Sequence, residues 1–372
     1  MSDSPSAVKS IKLLKPDFYV KGKDYKKKSG DVAGNLKDEI KALKKVGGNF
    51  EISRSELFSS TELLNFSFDD FNPATKIINK FLKGSDIKKK SFFKEYKKIL
   101  KKIKNEKILI IGETILDNYV STLPLGKPSK EDILSVNITK KNFFLGGAVP
   151  IVKMANEINK NITFLSIYQS KQVKKKIQKS FDKSVNLKLF RQDKFVDIVK
   201  TRFLNDNNSK IFETYEHNSK FLNNYEIVNF LKKNIKNYSH VIVSDFGHGL
   251  LNKDAVDIII KHSKYLSINV QTNSGNRGYN LFSKYKKADF LCLDLGELRL
   301  GLSDNINNPE ILLKNSKLKN YKNIILTKGV EGHTVKLNKK FFFNFPALNT
   351  KSVLDTMGAG DSFYTYASCF LK

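Results

Sequence analysis

Cysteine is almost absent from this sequence. Two residues, Cys292 and Cys369, can build neither a disulfide framework nor a zinc site. No charged start followed by an apolar run opens the chain, so no signal peptide is read. The longest apolar runs, such as Ile108–Ile111 and Val256–Ile260, fall far short of the roughly 20 residues that a bilayer span needs. These absences predict a soluble, cytoplasmic protein with no membrane partner. Internal repeats and RNA-recognition patterns are missing too. Acidic residues are scarce: 37 against 66 Lys and Arg give a net charge of +29. Such an excess invites a nucleic acid or an acidic membrane as partner. Lysine, however, is spread along the whole chain, beside plentiful Asn, Ile and Phe. It reads as compositional drift, and no specific nucleic-acid partner is expected. Collagen-like and wholly disordered chains are excluded as well: 40% of 372 residues are hydrophobic, enough to bury a core in two or three domains.

Three zones differ in texture. Residues 1–66 hold a short αβ-like piece. Residues 67–104 are Lys-rich, with Phe92, Phe93, Tyr96, Ile99, Leu100 and Ile103 at helical spacing over Ser91–Asn105. That stretch reads as a basic amphipathic connector, either lying on a neighbouring domain or reaching a membrane or nucleic acid. Residues 105–372 form the third zone. Short apolar runs recur there at Lys107–Ile111, Ile162–Ile167, His240–Ser244, Leu266–Val270, Asp289–Leu293 and Asn323–Thr327. Amphipathic stretches separate several of them, at Pro150–Asn159, Asn223–Lys236, Asn252–Lys264 and Pro309–Lys317. Buried strands alternating with helices predict an α/β three-layer sandwich around a mostly parallel sheet. Ligands of such sheets collect beyond the carboxyl ends of the strands. Asn118–Val136 and Val196–Glu216 break the alternation with β-type patterns, the second turning at Asn207–Ser209. They predict a β lid or an ordinary edge extension.

The strongest chemical signal is Leu354-Asp355-Thr356-Met357-Gly358-Ala359-Gly360-Asp361-Ser362-Phe363. Small residues opening a helix let backbone N–H groups converge, and the helix N-terminus adds partial positive charge. The result is an anion hole suited to a phosphoryl group. Asp361 beside it could take a proton from an attacking hydroxyl. Valine at Gly360 is expected to crowd that backbone. A tight glycine turn with a helix cap is the purely structural alternative.

This stretch resembles the C-terminal signature of the ribokinase, or PfkB, family of carbohydrate kinases, and the resemblance extends over residues 107–372. It implies that Asp117, in Gly112-Glu-Thr-Ile-Leu-Asp117, binds sugar hydroxyls. Gly146-Gly147-Ala148 looks like the N-terminal signature, where glycines admit the sugar closely. Asp294-Leu-Gly-Glu297 stands where the family has Asn-x-x-Glu, which places Mg²⁺ through water. Thr327-Lys-Gly329-x-x-Gly332, with Thr356, looks like the nucleotide-binding segment. ATP and Mg²⁺ are the implied cofactors. Phosphoryl transfer to a sugar or sugar phosphate is the implied reaction, with Asp361 as base and the Gly358, Ala359 and Gly360 amides as anion hole. Each motif has a plain reading as well: a strand-to-helix turn, a solvated cap, an exposed helix residue.

Asp117-x-Tyr119, Gly126–Glu131 and Asn269–Asn276, which contains Asn273, are most similar to the heptose-phosphate kinase branch, often fused to a nucleotidyltransferase. The β-type insertions, including Arg202, would cover the sugar. Lys127 and Arg202 are candidates for meeting a substrate phosphate, or are surface residues. Leu14–Tyr25 and Phe58–Leu64 resemble the second half of such a nucleotidyltransferase, with a partial Rossmann-like fold. Ser59–Thr61 would hold nucleotide phosphates, or Ser59 would cap a helix with Glu62. No histidine precedes His217, so the required paired-histidine motif is missing and residues 1–66 are expected to transfer no nucleotide. Eleven residues follow Asp361, fewer than the family has, which implies a C-terminally truncated kinase domain. A catalytically inactive sugar- or nucleotide-binding module of a larger bifunctional protein is the alternative. A homodimer through the lid is left open.

Overall fold

The computed structural model describes residues 6–21, 35–52, 89–126, 130–193, 196–217, 224–347 and 356–372, with backbone alone for 89–93. Lys127, Asp355, Gly22–Tyr25 and Phe58–Leu64, singled out above, lie outside the described residues. The chain divides into two units between Thr75 and Lys76.

The first unit holds α1 (Val8–Leu14), β1 (Phe18–Lys21), α2 (Leu36–Lys45) and β2 (Asn49–Ile52), the two strands paired in parallel. Ile11, Ala42 and Leu43 form its buried centre among the described residues. Glu39, nearly inaccessible, would be costly there without partners. It accepts from the Ala7 N–H at 2.8 Å and the Tyr19 hydroxyl at 3.0 Å, and pairs with Lys21 Nζ at 3.1 Å.

The second unit begins, among the described residues, with α3 (Lys89–Lys104). Lys94, Lys97, Lys98, Lys101, Lys102 and Lys104 face water, Ile103 enters the core, and Tyr96 stacks on Phe370 at 5.7 Å. Then follow β3 (Ile108–Gly112), β4 (Thr114–Gly126), β5 (Ser135–Gly147), α4 (Ala148–Ile158), β6 (Ile162–Tyr168), α5 (Lys171–Lys179) and β7 (Val185–Arg191). Next come β8 (Val199–Leu204), β9 (Lys210–Glu216), α6 (Tyr225–Asn234), β10 (His240–Asp245), α7 (Lys253–His262) and β11 (Leu266–Val270). The chain continues through β12 (Ala288–Asp294), α8 (Leu295–Leu302), α9 (Pro309–Leu312), β13 (Tyr321–Thr327), β14 (His333–Leu337), β15 (Phe341–Phe345) and α10 (Ala359–Leu371).

Nine strands form one sheet in the order β15-β14-β13-β12-β11-β10-β3-β6-β7, parallel from β13 to β7 and antiparallel at β14 and β15. Strands β3, β6, β10 and β11 are buried at every position, because helices cover both faces. Each of Ile108, Leu109, Ile110 and Ile111 is wholly shielded, worth about 1.5–3 kcal/mol per side chain. This is the predicted α/β ribokinase-like sandwich. One element departs from the expected span: α9 stops at Leu312, because the Asn315 side chain accepts from the Lys317 N–H and starts a separate 3₁₀ turn.

A second, four-stranded sheet in the order β5-β4-β8-β9 carries both β-type insertions. Its β8–β9 turn closes through Asn205 N–H to Ser209 C=O at 3.0 Å, with Asn208 in the left-handed region. Strand β5 runs on to Gly147, where α4 starts, so the predicted glycine pair ends a strand of this smaller sheet. Gly147 has φ 63°, and a Cβ there would overlap the Glu113 carbonyl, which accepts the Ala148 N–H at 2.9 Å.

Candidate active site

The carboxyl ends of β10, β11 and β12, the N-terminus of α10 and one face of the smaller sheet enclose a cleft of about 540 Å³. Asp117, Gly147, Arg202, Asn273, Glu297, Gly358 and Asp361 all line it. The fold thus gathers residues spread over most of the second unit. Gly146, Ala359, Gly360, Thr327, Gly329, Gly332 and Thr356 are not part of its wall. Thr327 stands beside it, paired in register with Asp294 at the ends of β13 and β12. Gly332 closes the turn into β14, where a Cβ would overlap the Phe345 carbonyl.

Asp361 sits in the first turn of α10, where the helix dipole favours a carboxylate. Gln271, from the end of β11, donates Nε2–H to its Oδ1 at 2.6 Å and fixes its rotamer. Burial raises the Asp361 pKa to about 6, the Gln271 hydrogen bond pulling it down and the charge of Asp117 pushing it up. Gly358 caps the helix with φ 75°. Of the three amides expected to form the anion hole, that of Ala359 donates to the Thr356 carbonyl at 3.2 Å. It is therefore committed to the turn, and Ala359 itself lies on the outer surface with Ser362 and Phe363. The Gly358 and Gly360 amides make no hydrogen bond among the described residues.

Glu297 and Asp294 form a capping box at the start of α8: each side chain accepts the other's backbone N–H, at 3.0 and 2.7 Å. Glu297 Oε1 also accepts the Thr272 N–H at 3.3 Å. Burial and the neighbouring Asp294 raise its pKa to about 8. No group of three or more metal-ligating side chains occurs among the described residues. Mg²⁺ needs no such cage, since it is commonly held by one or two carboxylates together with substrate phosphates and water. Glu297 and Asp294, two crowded carboxyls with no cationic partner among the described residues, fit that mode.

Asn273 is tied down: its Nδ2–H donates to the Phe246 carbonyl at 2.9 Å, and Asn276 does the same at 2.8 Å. The Arg202 guanidinium reaches Asp117 Oδ1 at 2.5 Å and Glu213 Oε2 at 3.6 Å.

Several lining residues were not foreseen as site residues: Gln271, Lys200, Glu213, Tyr215, His248 and Arg277. His248 packs its ring on His217 with centroids 5.0 Å apart, and burial with that neighbour lowers its pKa to about 4. Behind the wall, the buried Glu113 accepts N–H groups of Phe246 and His248, each at 3.1 Å, and so holds the loop after β10. Burial and the nearby Asp245 raise its pKa. One signal for the lid residues was in the sequence: strict alternation puts Lys200, Arg202, Glu213 and Tyr215 on one face.

A nine-stranded α/β sheet covered by helices on both faces and roofed by a small β sheet defines the ribokinase-like fold class. The chain belongs to the pfkB family of carbohydrate kinases, whose model matches residues 105–365. Members of that family generically use ATP and Mg²⁺. Among curated relatives, the Bifunctional protein HldE of Campylobacter curvus is 26% identical over 70% of this chain and 55% of its own length. The chain thus spans about half of such relatives. An uncharacterized sugar kinase of Buchnera aphidicola is 29% identical over 72% of this chain and 84% of its own length. Among solved structures, ribokinase from Giardia lamblia superposes with a TM-score of 0.54 at 15% identity, covering 70% of this chain and 82% of that one. At that identity the likeness shows the fold alone. No described helix is long and apolar enough to cross a membrane.

Proposed function

We propose that this chain transfers the γ-phosphoryl group of ATP to a hydroxyl of a sugar or sugar phosphate. One observation carries the reading: Asp361, fixed by Gln271 at the N-terminus of α10, shares a single cleft with Asp117 and Glu297. Asp361 accepts the hydroxyl proton as the sugar oxygen bonds to phosphorus. The bond between that phosphorus and the bridging oxygen of ADP breaks, and ADP leaves with the electron pair. The amides of Gly358 and Gly360, unbonded among the described residues, would meet the charge that develops on the phosphoryl oxygens, an electrostatic contribution suited to this reaction. Asp117, Gly147 and Asn273 surround the sugar, with Gly146 behind the Asp117 carboxylate and Arg202 in the roof above. Thr327, which stands beside Asp294, would form the nucleotide side with Gly329, Gly332 and Thr356. Mg²⁺ held near Glu297 and Asp294 would neutralise phosphate charge. The smaller sheet excludes water that would otherwise accept the phosphoryl group. The resemblance of Asp117-x-Tyr119 and Asn269–Asn276 to the heptose-phosphate kinase branch suggests a heptose phosphate as acceptor, and other phosphorylated sugars fit equally well.

The test is ATP consumption by the purified chain with a panel of sugars and sugar phosphates. Turnover with at least one acceptor is expected. Asp361→Asn should lower that rate by about 10²–10⁴-fold while ATP binding persists. A mutant with near wild-type turnover, or a wild type idle on every acceptor, would remove the assignment.

A further inference from the structure

On the cleft-facing side of the smaller sheet, three strands contribute alternating residues. Asp117 comes from β4, Lys200 and Arg202 from β8, and Glu213 and Tyr215 from β9. Arg202 stands directly opposite Glu213 in the antiparallel β8–β9 pair, and Lys200 beside Asp117 in the parallel β4–β8 pair. The Arg202 side chain is only 4% exposed. Its Nη1 holds Asp117 Oδ1 at 2.5 Å, its Nε lies 3.6 Å from Glu213, and the Tyr119 ring lies 5.3 Å from its plane centre. Lys200 is spent as well, 3.2 Å from Glu213, whose other oxygen accepts the Tyr215 hydroxyl at 2.9 Å.

We propose that Arg202 is a positioning residue: it clamps Asp117 against Glu213 across the roof and aims the Asp117 carboxylate at the acceptor, and it does not bind a phosphate of the acceptor. The inference rests on the reading of Asp117 as the acceptor's ligand in the proposed kinase. Two facts support it. Asp117 has both oxygens placed, Oδ1 on the guanidinium and Oδ2 over Gly146, where a Cβ would overlap it. Turning the buried Arg202 toward a phosphate would take it from the half-buried Asp117 carboxylate, and breaking a largely buried pair costs far more than forming it gains.

The experiment has two arms. Thermal unfolding of wild type, Asp117→Asn, Arg202→Met and the double variant needs no turnover. The single changes should each lower Tm, and Asp117→Asn should raise the Tm of the Arg202→Met background, because it removes the unpaired charge. Additive losses would overturn the clamp. Initial rates are then measured with a free sugar and its monophosphate. Arg202→Met should lower kcat/KM for both acceptors by the same factor, about 10²-fold, and leave the KM for ATP unchanged. In the Asp117→Asn background it should cost nothing further, which general loss of structure would not mimic. A loss confined to the monophosphate and seen in KM would make Arg202 a phosphate ligand and overturn the proposal. A wild type that phosphorylates neither acceptor overturns the kinase reading and the aiming role together, and the thermal cycle still decides the clamp.

Discussion

Asp361 carries two opposed demands. A general base must be ionised to accept a proton, yet burial makes its charge expensive, and its pKa rises to about 6. Gln271 moderates the rise by donating to the charged form, and Asp117 augments it. The consequence for catalysis has a definite sign. Above pH 6 the base is ready, and the contribution of Asp361 to kcat/KM for the acceptor should be flat. Below it, kcat/KM should fall about tenfold per pH unit, because this ratio reports the pKa values of the enzyme form that meets the acceptor. Gln271→Leu removes the moderating hydrogen bond, so the acid limb should move to higher pH. A limb that stays in place when Gln271 is changed, measured over pH 5 to 8 with saturating ATP, would show that another group governs it. The linkage to stability runs the opposite way. A carboxyl raised from 3.8 to about 6 favours folding while protonated, and that contribution is lost as pH climbs through this window.

At the scale of elements, the helix N-terminus of α10 shows what the sequence could and could not disclose. The Asp-Thr-x-Gly-Ala-Gly-Asp pattern announces a turn into a helix with a carboxylate beside it, and the fold builds that turn. What it hides is which amides are used: Ala359 donates back to Thr356. The glycines differ also. Gly358 needs its positive φ of 75°, whereas a Cβ at Gly360 would meet nothing within 4 Å. A Cβ at Gly360 thus clashes with nothing outside its own helix turn, and the crowding expected for Gly360→Val falls on that turn or on what occupies the cleft side. Gly358→Ala should destabilise by about 1–2 kcal/mol through left-handed strain. Gly360→Ala should leave Tm nearly unchanged and still lower the phosphorylation rate. Equal Tm losses in a denaturation series, or an unimpaired Gly360→Ala enzyme, would contradict this division. Six of the seven parallel strands, β3, β6, β10, β11, β12 and β13, were legible because each carries a short, mainly apolar run. Strand β7, helix α5 and the β14–β15 pair were not. Helix α5 buries only Val173 and Ile177 among its lysines, and β15 leaves four of its five residues exposed, so neither imprints a hydrophobic period. The roof's ion pairs were illegible for another reason: partners such as Asp117 and Arg202 lie 85 residues apart and meet only through strand register.

For the whole molecule, the described residues of each unit form a hydrophobic centre of their own, and the two differ greatly in size. The first, among its described residues, relies on Ile11, Ala42 and Leu43, with Tyr19 and Phe50 packed beside them. The second is built on a nine-stranded sheet covered on both faces. Small cores bury a smaller share of the surface that unfolding exposes and are correspondingly marginal. The first unit also leans on the Glu39 knot. Its partners lower the Glu39 pKa, so this support is present above the ordinary carboxylate range and is lost as pH falls through it. Calorimetry should therefore resolve two transitions, the lower belonging to residues 1–75. Leu43→Ala should move only the lower one, by about 2–5 kcal/mol, as emptying a tight core does. Acidification toward pH 4 should depress the lower transition, and Glu39→Gln should weaken that pH dependence. The upper transition should respond instead to changes around Asp361 and Arg202, because every residue of the proposed catalytic cleft belongs to the second unit. A single transition shifted as a whole by Leu43→Ala would mean that the chain unfolds as one cooperative body, with the small core contributing to the stability of the catalytic one.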